Sequence, residues 1–342
     1  MFLKNAWYAA LWSKDLPVGE PVARTYLNEP VVLFRTASGT PAALEDRCCH
    51  RAAPLSRGLC LEDTIQCGYH GLQFDATGAC VEVPGQTKIP PGAQVRCYPL
   101  CERHNVLWIW MGDAKKADEA LVPDYPWLDD PGWVAATGSI PMKANYQLLV
   151  DNLLDFTHVT YLHKNTISSD PAEASVPINV ERTEDSVSVS RWIYDLDAPP
   201  LFAKAGGFNG KVDRWQTTTW KAPSTLAFDV GCATAGTGAP EGDRTHGISI
   251  WSMHLITPET ETSTHYNWGY VRNFALDDPS MTDLLHDGAK ATFMEDVEMI
   301  EAQQKNLKAG SVDGLVDINA DNPPIQMRRI MDKLIAAEAG AG

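Results

Sequence analysis

At 342 residues, 44% hydrophobic and 21% charged, the chain is long enough for two soluble globular domains, each with its own core. A formal net charge of −16 argues against nucleic acid and anionic membrane as partners, because both would repel it. No run approaches roughly eighteen consecutive apolar residues, and Lys4, Asn5 and Lys14 interrupt the opening MFLKNAWYAALWSKD before a signal-peptide core forms, so a cytoplasmic protein is expected.

From residue 30 to 113 the sequence reads as short strands between turn signals: PVVLFRT, PAALEDR, TIQCGYHGLQF, ACVEVP and NVLWIWMGD. That predicts a small all-β unit. The charged, Pro-containing stretch KKADEALVPDYPWLDDPGW reads as an interdomain connection and puts the boundary near residue 120. The second part opens with NYQLLVDNLLDFTHVTYLH, where Leu149, Leu153 and Phe156 recur at helical spacing and Asn145 is placed to cap the start. One long helix is predicted there. Residues from about 176 to 274 alternate as strands do (SVSVSRWIY, STLAFDVGCA, HGISIWSMHLIT, HYNWGYV), which predicts a substantial antiparallel sheet. From Asp277 the helical period returns, and IQMRRIMDKLIAAEAG closes the chain as a further helix. The eleven tryptophans are read first as packing elements.

Eight cysteines in a reducing compartment are read for metal ligation rather than disulfides. Cys48, Cys49 and His50, followed after sixteen residues by Cys67, Gly68, Tyr69 and His70, satisfy Cys-x-His and Cys-x-x-His. Two cysteines and two histidines can close one tetrahedral zinc site, or divide between two irons with thiolates on one and imidazoles on the other; spacing does not choose. Context favours the cluster, since each pair falls in a turn between strands with a glycine, Gly68 or Gly71, that lets backbone approach a sulfide. Imidazole ligation raises the potential over an all-cysteine cluster, which suits a centre that passes electrons to an oxygen-activating iron. Cys60, Cys80, Cys97, Cys101 and Cys232 have no matching partners and are expected to be small buried hydrophobes.

On the predicted long helix, Asp151, Asp155, His158 and His163 give Asp-x3-Asp-x2-His-x4-His. Asp155 and His158 would share a face, and His163 could return to it if the helix loosens after Thr160. Two imidazoles and one carboxylate make the facial triad that leaves positions open on iron(II) for O2. The late segment FMEDVEMIEAQQ supplies carboxylates in Glu295, Asp296 and Glu298, of which solvated helix faces are the ordinary fate.

The first of these regions resembles the Rieske domains of aromatic-ring and side-chain oxygenases. By that resemblance Cys48 and Cys67 bind one iron and His50 and His70 the other. Where the family commonly has proline between the first Cys and His, this chain has Cys49, read as a bystander thiol open to oxidation. The likeness extends over nearly the whole chain through EDRCCHR, GACVEVPGQ, VLWIWMGD, VDNLLDFTHV and LITPETET. It points to the subgroup of toluenesulfonate methyl-monooxygenase, vanillate demethylase and dicamba demethylase oxygenases. The fold implied is α+β: an all-β Rieske [2Fe-2S] domain over 1–120, then a helix-grip catalytic domain over 121–342 with an antiparallel sheet and C-terminal helices. The resemblance picks Asp296 as the third ligand beside His158 and His163. It further implies a head-to-tail homotrimer, with Asp155 bridging His70 of one subunit to His158 of the next as a link in electron transfer.

The activity implied is that of a terminal oxygenase. It would use O2 and, through a separate reductase with or without a ferredoxin, NADH, to hydroxylate a methyl, methoxy or N-alkyl carbon of an aromatic compound. This chain has no G-x-G-x-x-G dinucleotide fingerprint of its own. An aromatic ring-hydroxylating dioxygenase and a Rieske electron carrier without catalysis are the competing readings; the carrier needs only the first motif. The resemblance also places a pocket histidine at His254, with Phe228 and Asp287 where polar and aromatic substrate-binding residues occur in the dicamba relative. No basic pocket residue is evident in the sequence. An N-alkyl anilide or phenylurea therefore stands beside an aromatic carboxylate or sulfonate as the substrate class.

Overall fold

The structure is a computed structural model that describes residues 1–168, 170–309 and 315–340. Its first ten strands form three small antiparallel sheets. β1 (Trp7–Trp12), β9 (Leu100–Arg103) and β10 (Val106–Trp110) make one, in the order β1-β10-β9. β2 (Val22–Tyr26), β3 (Glu29–Arg35) and β4 (Pro41–Glu45) make the second. β5 (Leu59–Leu61), β6 (Thr64–Gln66), β7 (Gln73–Asp75) and β8 (Cys80–Glu82) make the third. The all-β expectation for this half holds, but the strands begin earlier than residue 30. All six residues of β1 are buried, and Trp7 stacks edge-on to Trp110 with ring centres 5.4 Å apart. A continuous apolar run this short gives no periodicity, so only pairing with β10 identifies it as a strand.

The remaining strands build one seven-stranded antiparallel sheet in the order β11-β17-β16-β15-β14-β13-β12. They are β11 (Val134–Met142), β12 (Asn179–Arg182), β13 (Ser186–Asp197), β14 (Lys211–Lys221), β15 (Thr225–Thr234), β16 (Gly247–Thr260) and β17 (Ser263–Arg272). β13 shows the alternation most plainly: Val187, Val189, Arg191 and Ile193 are buried and the residues between them are not. Among the described residues five helices accompany this sheet: α1 (Tyr146–Leu154), α2 (His158–Leu162), α3 (Pro200–Gly206), α4 (Pro279–Ala309) and α5 (Asn322–Gly340). α4 packs on β11 and β17, and α5 on β13.

The long helix expected from NYQLLVDNLLDFTHVTYLH is two helices. Asn145 does cap the start, its side chain accepting from the Gln147 amide. The helix ends at Leu154, because Asp155 takes an extended conformation (φ −102°, ψ 116°) and its carboxylate accepts both the Thr157 amide and hydroxyl, each at 2.6 Å. That local side-chain bond competes with the helical ladder and restarts the chain as α2.

The chain divides into one unit of Met1–Asp124 with Thr257–Glu261, and another of Tyr125–Ile256 with Thr262–Gly342. The short return to the first unit is held there by Thr257, whose hydroxyl donates to the Ala9 carbonyl, and by the Leu27 and Asn28 amides donating to Pro258 and Glu259. Among the described residues no helix is long and apolar enough to cross a membrane.

Candidate metal centres

In the first unit, Cys48 and Cys67 open two loops with the same hydrogen-bond pattern. Each cysteine carbonyl accepts from the amide four residues on, Ala52 or Gly71, at 2.9 Å. Each cysteine amide donates to the carbonyl five residues on, Ala53 at 2.8 Å or Leu72 at 2.7 Å. The turn needs a left-handed residue in each case, supplied by Gly71 (φ +76°) and by Ala52 (φ +56°), where a Cβ costs roughly 1–2 kcal/mol. Gly68 admits a different close approach, since a Cβ there would lie 2.6 Å from the Arg57 carbonyl oxygen.

This pairing of loops sorts the donors. Cys48 and Cys67 are buried among Val32, Phe34, Leu55, Ile65 and Phe74, and their thiols share a hydrogen bond. His50 and His70 stand at the exposed rim, ring centres 4.6 Å apart. A thiol pair below and an imidazole pair above fits a two-iron cluster with sulfur on one iron and nitrogen on the other. Burial pushes the Cys48 thiol up to about 11, so a thiolate there depends on metal displacing the proton. Cys49 is exposed and lines one surface pocket with His50 and His70. All eight cysteines are free; Cys80, Cys101 and Cys232 are buried, whereas Cys60 and Cys97 are only partly so.

In the second unit, His158, His163 and Asp296 bring one donor atom each to within 4.8 Å of one another. His158 begins α2, and His163 follows its last turn at φ −101°, ψ 25°, which swings the ring back beside His158. Asp296 faces them from α4, its Oδ1 3.0 Å from His163 Nε2 and 3.5 Å from His158 Nε2. The outer nitrogens are both spoken for: His158 Nδ1 donates to the Asp155 carbonyl at 2.5 Å and His163 Nδ1 to Glu295 Oε2 at 2.7 Å. With protons on both Nδ1 atoms, a divalent iron that displaces the proton between His163 Nε2 and Asp296 would meet both Nε2 lone pairs turned inward beside the carboxylate. Burial lowers the His158 pKa, only partly opposed by Asp296. For His163 burial works the same way, but the bonds to Asp296 and Glu295 outweigh it and raise the pKa.

Several expectations for individual residues change. The ring proton of His158 meets the Asp155 backbone oxygen, not its carboxylate, because the carboxylate is turned to Thr157. Glu295, expected on a solvated face, orients His163 and also accepts from the Thr166 hydroxyl at 3.1 Å. Glu298 is exposed, as helix-face residues usually are. Asp151 pairs with Arg328 of α5 and stands outside the triad. Asn152, not singled out in the sequence, donates to Asp296 Oδ1 at 3.1 Å.

The triad opens on a cavity walled by Leu153, Phe156, Phe228, Val230, Phe293 and Tyr270. His254 lies in it, its Nδ1 2.6 Å from the Tyr266 hydroxyl and its Nε2 3.0 Å from Ser252 Oγ. Burial holds His254 down at about 3, so its ring is neutral at working pH. Asp287 does not line the cavity: its side chain is 81% exposed beside His286. Nine residues along α4 from Asp296, at about 100° each, place Asp287 on the opposite side of the helix. A basic wall residue that the sequence did not reveal is present, Arg214.

Comparison with known proteins agrees with this double centre. Residues 6–99 match the Rieske [2Fe-2S] domain and residues 142–337 the vanillate O-demethylase oxygenase C-terminal domain. The chain is 43% identical to the toluene-4-sulfonate monooxygenase system iron-sulfur subunit of Comamonas testosteroni, over 99% of each. It is 37% identical to the oxygenase component of chloroacetanilide N-alkylformylase from Rhizorhabdus wittichii, over 99% of this chain and 97% of that one. The crystal structure of dicamba monooxygenase bound to dicamba superimposes with a TM-score of 0.91 at 34% identity, over 99% of each chain. With both domains matched and relatives of this identity along its full length, the chain belongs to the Rieske non-haem iron oxygenases, as the oxygenase component, with a [2Fe-2S] cluster and a mononuclear iron, of a multicomponent monooxygenase system.

Proposed function

We propose that this oxygenase hydroxylates a methyl, methoxy or N-alkyl carbon of an aromatic compound. The observation that carries the reading is the apolar, aromatic-walled cavity that ends on the His158, His163 and Asp296 donors. Iron held by those three residues supplies the activation of O2. The cavity's own residues position the substrate: Phe228 and Phe293 pack on the His254 ring, with centres 4.7 and 5.1 Å away, and together give the cavity an aromatic wall. Neutral His254, both ring nitrogens held by Tyr266 and Ser252, adds an uncharged ring to that wall. Where the hydroxylated carbon is bonded to oxygen or nitrogen, the product is a hemiacetal or hemiaminal that collapses to an aldehyde and the dealkylated aromatic. One oxygen atom enters the substrate, the other leaves as water, and two electrons come from NADH.

The site assignments under this reading follow the donor geometry. Cys48 and Cys67 ligate one cluster iron and His50 and His70 the other, within a Rieske domain of residues 1–120. His158, His163 and Asp296 ligate the mononuclear iron within a catalytic domain of residues 121–342. Asp155 links His70 of a neighbouring subunit to His158, in a head-to-tail homotrimer working in the cytoplasm. The bystander role of Cys49 is testable on its own. His50→Cys or Cys67→Ser abolishes the Rieske electron paramagnetic signal, while Cys49→Ser, at an exposed position, leaves it intact. Loss of the signal in the Cys49 variant would reassign the ligands.

Turnover with a generic reductase against methyl, methoxy and N-alkyl aromatics, products identified by mass, tests the activity. The expected products carry one added oxygen or lack one alkyl carbon, with release of aldehyde. A cis-diol with both oxygens on the ring would instead make the protein a ring-hydroxylating dioxygenase.

A further inference from the structure

Arg214 and Gln216, two apart on β14, share the sheet face that lines the iron cavity. Arg214 is only 1% exposed. Its Nη1 donates to Glu173 Oε2 at 2.8 Å and its guanidinium lies 5.6 Å from the Phe202 ring centre, but among the described residues its Nε has no hydrogen-bond partner. Arg191, on the adjacent strand, is also buried, and every nitrogen of its fork is used. Nε donates to Gln216 Oε1 at 2.7 Å, Nη1 to the Glu173 carbonyl at 2.7 Å and Nη2 to the Phe156 carbonyl at 3.4 Å. Glu173 is the buried carboxylate between them, and its other oxygen is taken by the Asp170 amide and the Ser168 hydroxyl.

Arg191 spends its whole fork on the Gln216 amide and two backbone carbonyls, and Arg214 meets the Glu173 carboxylate through Nη1, so the Nε of Arg214 is the donor left over, on the side chain that borders the cavity. Burying an N–H without an acceptor is costly. A purely structural pin between β14 and the 170–176 turn needs one Arg and one Glu, and Arg191 with Glu173 already ties that turn through its backbone. What Arg214 adds is a rigid, planar donor edge facing the substrate space, the shape that carboxylate and sulfonate oxygens match.

We infer that Arg214 is the anion-recognising residue of the substrate cavity, so that the substrate is an aromatic carboxylate or sulfonate and not a neutral anilide. The inference rests on the proposed alkyl-carbon oxygenation only in taking this cavity as the substrate site. Gln216, held by Arg191, is the neighbouring amide that orients the acid group.

Calorimetric titration of the oxidised holoenzyme without reductase separates the two claims. The probes are toluene-4-sulfonate and 4-methylbenzoate against their neutral counterparts toluene-4-sulfonamide and 4-methylbenzamide. The wild type binds the acids more tightly than the amides. Arg214→Gln weakens the acids by about 10- to 100-fold, the worth of one or two bonds to a charged group, and changes the amides by less than about threefold, with cluster absorption and iron content retained. Glu173→Gln frees Arg214 from its competitor and tightens the acids severalfold with no gain for the amides; this arm decides the matter if Arg214→Gln does not fold. Equal affinity for acids and amides in the wild type, a parallel loss of both in Arg214→Gln, or an unchanged acid affinity in Glu173→Gln overturns the assignment. Dealkylation of a neutral N-alkyl anilide by a wild type that ignores the acids would sink the role of Arg214 while leaving the oxygenation reading standing. Acids bound through Arg214 but never oxidised would do the reverse.

Discussion

Asp296→Ala yields a protein that keeps its Rieske spectrum, loses its mononuclear iron and forms no product. Among the described residues Asp296 is the one carboxylate within reach of both inward-facing Nε2 atoms, and its side chain is 3% exposed. Without it, iron would be held by two neutral imidazoles in a buried site with no charge to offset its own, and metal affinity that depends on a fixed donor set collapses. Quantitation reads this directly. The parent holds about three iron atoms per chain, two in the [2Fe-2S] cluster and one beyond it, and the variant about two, with sulfide unchanged at about two. His158→Ala and His163→Ala give the same pattern. Glu295→Ala differs in degree: it removes the acceptor that fixes the His163 ring, so iron affinity falls by about 10- to 100-fold and excess iron restores activity. Glu298→Ala, at an exposed position, retains iron. Iron retained in Asp296→Ala and lost in Glu298→Ala would reassign the third ligand.

The two motifs were legible because cluster and iron ligation demand particular residue types at short spacing, and those survive without any knowledge of the fold. Cys48, His50, Cys67 and His70 sit on two loops of one small unit, so local sequence carries the whole of the proposed donor set. What the sequence did not show depends on where the chain turns in space. The apolar spacing of Leu149, Leu153 and Phe156 runs straight across the break at Asp155, since the residues that interrupt α1 and α2 are still read as one amphipathic face. The signal for the break was Asp155 two residues before Thr157, a pair able to bond locally in place of the helical ladder. Arg214 was hidden differently. In KVDRWQTTTWK charged and apolar residues both fall on each face, and only the place of Arg214 and Gln216 beside the metal donors tells which face lines the cavity. Glu295 and Asp296 are adjacent acids on one helix, yet the second reaches the triad's Nε2 atoms and the first reaches round to His163 Nδ1. Their division of labour follows from the position of the His163 ring, which no helical spacing supplies.

Asp155→Asn is expected to retain both metals, to accept electrons at the cluster at the normal rate, and to lose most O2-coupled turnover. The substitution is informative because of what it leaves alone. Asp155 closes α1 and starts α2 by accepting the Thr157 amide and hydroxyl, and an asparagine Oδ1 accepts the same two donors, so the turn that presents His158 persists. The bond that fixes the His158 ring comes from the Asp155 backbone carbonyl, which no side-chain change removes. What disappears is the negative charge, and with it the strong hydrogen bond to a protonated or polarised imidazole of a neighbouring subunit on which the proposed electron path depends. Asp155→Ala separates this from scaffolding: it removes the cap as well as the charge, at a cost of about 1 kcal/mol in local stability, and lowers the thermal midpoint where Asp155→Asn does not. A single turnover with the pre-reduced variant decides between the roles. Slow cluster reoxidation with little product, in a protein with full iron content, supports the bridge. Rapid reoxidation with normal product yield removes it, and loss of the mononuclear iron would make Asp155 a participant in the metal site instead.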